Sequence, residues 1–497
     1  MPHSLRRVLT FAIGSITVLA AAPVVTVGQA AAGPDNGTHS PIKHTIILYQ
    51  ENISFDHYFG TYGHGSNGIP AGSTLTHTGS SGNTWGPYAP TQLSGLTQSR
   101  TCDVDHSYSD MIQMADHGLM DKFLQFGNDK TVTNPSSSSS TTCPKFEVAS
   151  PTPPGANLTA LANAYYTGTA GDLNAPLQNY WKLASQYTLA DNFFQGVYGP
   201  STPGAEWVVA ATNNTTGDPN PAGDNCLDYP AGIGQHDIPN LGAEASAEGT
   251  SWAWFQGGFG TCVPNSPTTG LSPNVNGYSP HHDPFQYFTS TADLNHTYAF
   301  DPRMDYPQAN RHQRDLSVLD AALAGIEVGG QVPQLPAISW VKAPQMEDGH
   351  PGYSGPALED AFLGDLVSKL QASPYWKDTA LFVAFDETGG WWDHVAPPDL
   401  GGHFATWVNG VPNTAGGCQY PGTTPCAEAG FGPRMPALVI SRFAQRGFID
   451  HDLLNIASLV NWVEWNHRLP ALGVWGDRDV TAGSLAGAFV FGQDTES

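Results

Sequence analysis

Between Thr379 and Phe385 the chain reads TALFVAF, an apolar run without polar alternation, which stops at two adjacent carboxylates, Asp386 and Glu387, and a glycine pair. A run of this kind bounded by turn residues predicts a strand covered on both faces. His44–Gln50 (HTIILYQ) has the same layout and ends at Glu51 and Asn52. Leu335–Val341, Phe431–Ser441 and the shorter Tyr187–Ala190 also read as strands. Apolar positions at helical spacing mark Pro176–Gln186, Arg314–Ala324 and Leu453–Val463. Met111, Met114, Ala115, Leu119 and Phe123 suggest a further helix across 107–126. Strands alternating with helices predict an α/β fold around a mostly parallel sheet.

The segments between these elements lack either periodicity. Residues 61–99 are rich in Gly, Ser, Thr and Pro, and 130–154 surround the serine run Ser136–Ser140, so both are expected to be loop insertions. Composition agrees: 55 Gly, 40 Pro and only 13% charged residues describe a loop-rich globular chain. The formal charge of −25, with no basic patch, excludes nucleic acid as a partner.

Residues 1–32 carry the Arg6–Arg7 pair, an apolar stretch broken by Gly14, Ser15, Thr17 and Pro23, and small residues at Ala30–Ala32. They read as an export signal, with cleavage expected near Ala30 or Ala32 and residues 33–497 forming a single domain. The arginine pair suits a twin-arginine route and ordinary secretion equally, so the route stays open. No later apolar stretch is long enough to span a bilayer, and stable membrane insertion is not expected after cleavage. A secreted or envelope-exterior protein with six cysteines is expected to hold disulfides. Cys418 and Cys426 bracket a short loop, and sequential pairing would add Cys102–Cys143 and Cys226–Cys262.

Two strand ends of composition Glu-Asn and Asp-Glu could gather three carboxylates and an amide, the hard oxygen donors that hold a divalent cation. The alternative is an acidic turn after a strand, since acids are ordinary turn residues. Ligands in open α/β sheets sit beyond the carboxyl ends of parallel strands, which favours the site. His106 precedes the 107–126 helix, His281 and His282 lie between Pro280 and Pro284, and His350 follows the strand Leu335–Val341. Each alone reads as structural. Together with the acids they suit phosphoryl chemistry, in which cationic imidazoles bind phosphate oxygens and protonate a leaving oxygen.

Four spaced segments, ENISFDHYFG, DNFFQGVYGPSTP, YSPHHDPFQYF and FDETGGWWDHVAPP, resemble the bacterial phosphoesterase family of secreted acid phosphatases and phospholipases C. The resemblance runs from about Ile42 to the last helix. It implies an alkaline-phosphatase-like three-layer α/β sandwich with long loop insertions. It also implies one divalent metal ion at Glu51, Asn52, Asp386 and Glu387. The nucleophile, a Ser or Thr two residues before a Pro, falls on Ser201, which also counts among the metal-contacting positions, and His106 corresponds to a phosphate contact. Oxygen donors favour Mg, Ca or Mn, and a nearby His would admit Zn. The substrate expected is a small phosphomonoester, with a phospholipid as the alternative. A secreted binding protein that has lost turnover is the rival from another class. The segment GPSTPGAEW departs from the family's Pro-Asn followed by a basic residue, having Gly204 and Ala205 instead. Around Asp393, His394, Pro397 and Pro398 a shaped loop is expected, without a catalytic role.

Overall fold

The two apolar runs that end in acids lie side by side. The computed structural model describes residues 37–78, 84–93, 103–127, 164–169, 172, 175–212, 238–261, 277–293, 312–351, 354–398, 407–408, 411–412, 431–473 and 482–492. The expected export signal (1–32), the expected insertion at 130–154 and all six cysteines lie outside these residues.

The main sheet is built from β1 (His44–Gln50), β2 (Thr188–Phe194), β3 (Trp252–Gln256), β4 (Gln313–Asp315), β5 (Ile338–Lys342), β6 (Thr379–Phe385), β7 (Arg434–Ser441), β8 (Phe448–Asp450) and β9 (Leu454–Asn455). Across the sheet the order is β8-β2-β7-β6-β1-β5-β3-β4, with β9 pairing farther along β2. Pairing is parallel except at β7, which runs against both β6 and β2. The mostly parallel α/β sheet expected from the sequence is therefore present. Every residue of β6 is buried, which is why that run shows no polar alternation.

Successive side chains of a strand point to opposite faces, and β6 shows what covers each. Phe382 meets Trp462 at 5.4 Å between ring centroids, and Phe385 meets Tyr180 at 6.2 Å. Trp462 belongs to the helix Ile456–His467 and Tyr180 to the helix Gln178–Gln186, so helices lie on both sides of the sheet. Chain chemistry fixes their ends. Asp315 caps Leu316–Ala324 through the Ser317 N–H, and Gly325 closes that helix at φ +66°. The carboxylate of Asp360, on the helix Pro356–Ala372, accepts the N–H groups of Asn179 and Tyr180 and so ties that helix to the start of Gln178–Gln186.

The 107–126 pattern is not one helix. Tyr108–Ala115 ends where Asp116 turns left-handed at φ +40°, and Leu119, counted as an apolar helix position, is exposed. The helix resumes only at Phe123–Phe126. Part of the 61–99 segment is an antiparallel hairpin, Leu75–Thr78 with Thr84–Tyr88. Among the described residues no helix is long and apolar enough to cross a membrane.

Beneath the sheet's carboxyl edge Glu359 is fully buried and accepts the hydroxyls of Tyr58 and Tyr180. Burial pushes its carboxyl from 4.5 up to about 8. The folded chain thus keeps a proton that the unfolded chain releases above its ordinary value of 4.5. This contribution to stability is full below that value and is lost as pH rises toward about 8. The denaturant-derived unfolding free energy of the wild type should therefore fall more steeply between about pH 5 and 8 than that of Glu359→Gln, which has no proton to lose. Parallel pH profiles for the two proteins would clear Glu359 of the effect.

Candidate active site at the carboxyl edge

Because β1 and β6 run parallel with Gln50 opposite Phe385, the residues that follow them emerge together. Main chain and side chain then stitch the two ends. Asp386 N–H donates to the Gln50 carbonyl at 3.1 Å, and Ile53 N–H to the Glu387 carbonyl at 2.9 Å. Asp386 Oδ1 accepts from the N–H groups of Asn52 (2.9 Å) and Glu387 (2.8 Å). Asn52 takes the left-handed region at φ +57°, a conformation Asn tolerates better than most residues. Gly389, at φ +64°, lies so close that a Cβ would sit 2.6 Å from the Asn52 carbonyl oxygen.

Glu51, Asn52, Asp386 and Glu387 are all fully buried. Among the described residues, neither amide atom of Asn52, nor Asp386 Oδ2, nor Glu387 Oε1, has a hydrogen-bond partner. Burial and then the Glu51 carboxylate push Asp386 up to about 8. Burial and then Asp386 raise Glu387 well above the usual carboxylate range. Buried polar atoms are rarely left unpaired, and crowded carboxylates resist ionising without a cation beside them. The donor set and its orphaned oxygens fit a divalent ion.

The neighbouring strand adds two groups that the sequence reading did not single out. Lys342 ends β5, is fully buried and forms an ion pair with Glu51 Oε1. Asp348, six residues on, accepts the Glu51 N–H on its carbonyl at 3.2 Å and the His350 N–H on Oδ1 at 3.0 Å. Burial and then Glu51 raise its carboxyl well above the ordinary range. Lys342 could have been found, because it ends an apolar run at the same edge as Glu51 and Asp386. Asp348 lies in an irregular loop and leaves no periodic signal.

Ser201 follows β2, which runs in the same sense as β1 and β6, and so reaches the same edge. Its hydroxyl donates to Glu51 Oε2 at 3.2 Å. Ser201 opens the helix Ser201–Ala210. Pro203 is compatible with a first turn, where its missing N–H costs no intrahelical bond. Gly204 accounts for the unusual composition of this segment: a Cβ there would sit 2.2 Å from the carbonyl oxygen of Asp386. Helix and acid-bearing strand end touch through their backbones. Ser54, the other serine near the ligand turn, is engaged elsewhere, capping Phe55–Phe59 and donating to the Trp392 carbonyl at 2.9 Å.

The histidines divide. His282 Nδ1 lies 3.2 Å from Glu51 Oε1 and 3.9 Å from Asp348 Oδ2, and these three residues form one group able to hold a metal. His106, His350 and Asp103 form a second, with the two rings 5.9 Å apart and His106 Nε2 3.9 Å from Glu387 Oε1. His281 stacks edge-on against His282, with Nδ1 3.0 Å from Ser279 Oγ. His106 and His350 each set Nδ1 against a backbone carbonyl, of Val104 at 2.7 Å and Pro351 at 2.6 Å. Burial lowers His282 strongly and His350 to a lesser extent. For these two, burial disfavours the cationic form in the protein alone.

A third acidic group, Asp56, Asp393 and His394, already has a cation. Arg434 is fully buried, bonds Asp56 Oδ1 at 3.2 Å and Asp393 Oδ1 at 3.0 Å, and lies over the Phe55 ring. Because β7 runs opposite to its neighbours, its first residue arrives at the carboxyl edge. The loop-shaping expectation for Asp393 and His394 agrees with this network.

Comparison with known proteins gives the geometry a family. Non-hemolytic phospholipase C of Pseudomonas aeruginosa is 24% identical over 481 residues, which cover 92% of this chain and 58% of the relative. Phospholipase C B of Mycobacterium tuberculosis is 25% identical over 493 residues, 93% of this chain and 80% of its own. The chain thus spans little more than half of the Pseudomonas relative. Among solved structures, a protein in the alkaline phosphatase superfamily from Vibrio parahaemolyticus is 12% identical, over 62% of this chain and 64% of that one, with a TM-score of 0.31. The model of the Phosphoesterase family matches residues 42–470, and the chain belongs to that family.

Proposed function

We propose that the protein is an exported, metal-dependent phosphoric ester hydrolase that acts on phosphomonoesters through a phosphoserine intermediate. The observation that carries this reading is the contact of the Ser201 hydroxyl with Glu51, at an edge where Asp386 and Glu387 each keep an unpartnered oxygen. Glu51, Asn52, Asp386 and Glu387 would hold one divalent ion, with Ser201 beside it. When bound, that ion supplies Lewis-acid stabilisation of developing charge and lowers the pKa of an adjoining hydroxyl.

Ser201 Oγ attacks phosphorus, and its proton passes to Glu51 Oε2, the acceptor it already faces. The phosphorus–oxygen bond of the ester breaks, and the leaving oxygen takes up a proton from solvent, which the proton received by Glu51 replaces. Water then attacks the phosphoserine, releasing phosphate and restoring the hydroxyl. His106, whose Nδ1 is held on the Val104 carbonyl, turns Nε2 toward Glu387 and would contact a phosphoryl oxygen there. His281, His282 and His350 supply further hydrogen-bonding groups for phosphoryl oxygens.

A second reading, cleavage of phospholipid headgroups, is favoured by the phospholipase C relatives. Metal-reconstituted protein assayed against a chromogenic phosphomonoester, a phosphodiester and phosphatidylcholine separates the two. The phosphomonoester is expected to give the highest kcat/KM. A clear preference for phosphatidylcholine would replace this reading with the second, and no turnover of any of the three would leave a binding protein on the same scaffold.

A further inference from the structure

We propose that Lys342 is the positioning residue that holds Glu51 between Ser201 and the metal and serves as a fixed cation within the carboxylate cluster. The inference rests on the reading of the edge as a metal-dependent ester hydrolase site.

Lys342 follows Val341, which pairs with Leu48 of β1, so it ends its strand beside Tyr49, close to where Glu51 begins the ligand turn. Its ammonium lies 4.8 Å from the centre of the Tyr49 ring and is shut away from solvent. Four fully buried acids, Glu51, Asp348, Asp386 and Glu387, share this edge. The two oxygens of Glu51 are divided between partners: Oε1 takes Lys342, with His282 Nδ1 at 3.2 Å, and Oε2 takes the Ser201 hydroxyl at 3.2 Å. Lys342 therefore fixes the rotation of the carboxylate that faces the nucleophile. A buried ion pair that loses one partner leaves an uncompensated charge, whereas losing both is far better tolerated. An ammonium beside Glu51 also offsets part of the negative charge before any divalent ion arrives.

Thermal unfolding of wild type, Lys342→Met and Lys342→Arg, each with saturating metal and with EDTA, tests this. Without its fixed cation the site should depend more on the divalent ion, so the difference in Tm between the two conditions should widen by roughly 5 °C in Lys342→Met and return toward the wild-type difference in Lys342→Arg. A side chain that merely fills space would lower both Tm values equally, and equal differences in wild type and Lys342→Met would overturn the proposal. Metal-loaded Lys342→Met should also lose about 100-fold in kcat through misplacement of Glu51. If Lys342→Met does not fold, the double variant Lys342→Met/Glu51→Gln decides: it should fold where the single variant does not, and equal failure of both would reject the pairing argument. A wild type whose Tm is unmoved by metal would instead sink the metal-dependent reading itself, an outcome distinct from failure of the lysine proposal.

Discussion

Ser201→Ala is expected to lose turnover by several orders of magnitude, on the scale of ~10⁶ seen when a catalytic serine is removed, while keeping its metal and its affinity for phosphate. The hydroxyl opens a buried helix and meets Glu51, and neither neighbouring hydroxyl is placed to replace it. Thr202 is one residue further round that helix, about 100° away, and Ser54 is committed to capping Phe55–Phe59 and to the Trp392 carbonyl. Acid quench of the wild type with labelled substrate, followed by peptide mapping, should put the label on Ser201. Label on Thr202, or near-normal turnover by Ser201→Ala, would overturn the mechanism.

Asp386→Ala should remove metal and activity together. The carboxylate has two jobs: Oδ1 accepts two backbone N–H groups that stitch β1 to β6, and Oδ2 is left unpartnered for the ion. Asp386→Asn separates them, because an amide oxygen can still accept both N–H groups while the charge is gone. Both variants are expected to lose at least ~100-fold in metal affinity, more than disturbing an outer hydrogen bond to a metal ligand usually costs. Asp386→Asn should remain closer to wild-type stability. Metal content after desalting, measured by atomic emission beside turnover, checks this, and wild-type metal content in either variant would refute the ligand assignment.

How far the sequence revealed this site depends on how each strand is covered. β1 and β6 are central and buried on both faces, so their runs are unbroken and their bounds could be read at His44–Gln50 and Thr379–Phe385. β2 was read only as far as Ala190, because the polar pair Asp191–Asn192 looks like a turn, yet the strand continues to Phe194. β3, WAWFQ, lies between loop-like segments and gave no expectation at all. The helix at Ser201 was hidden by Pro203 and Gly204, which mark turns in most contexts; here Gly204 allows the helix backbone to pass against Asp386. The acids at the ends of β1 and β6 were legible because they follow strand runs directly. The assembly of Lys342, Asp348 and His282 around Glu51 was not, since it depends on β5 lying beside β1, which no local pattern encodes.

The meeting of Gly204 with the Asp386 carbonyl carries one more consequence. The helix that Ser201 opens and the acid-bearing strand are spaced by main chain resting on main chain, with no intervening rotamer to slip. That gauge is a property of the scaffold. Under the proposed mechanism the reach of Ser201 toward the acids stays as these two backbones set it, whatever side chains surround them.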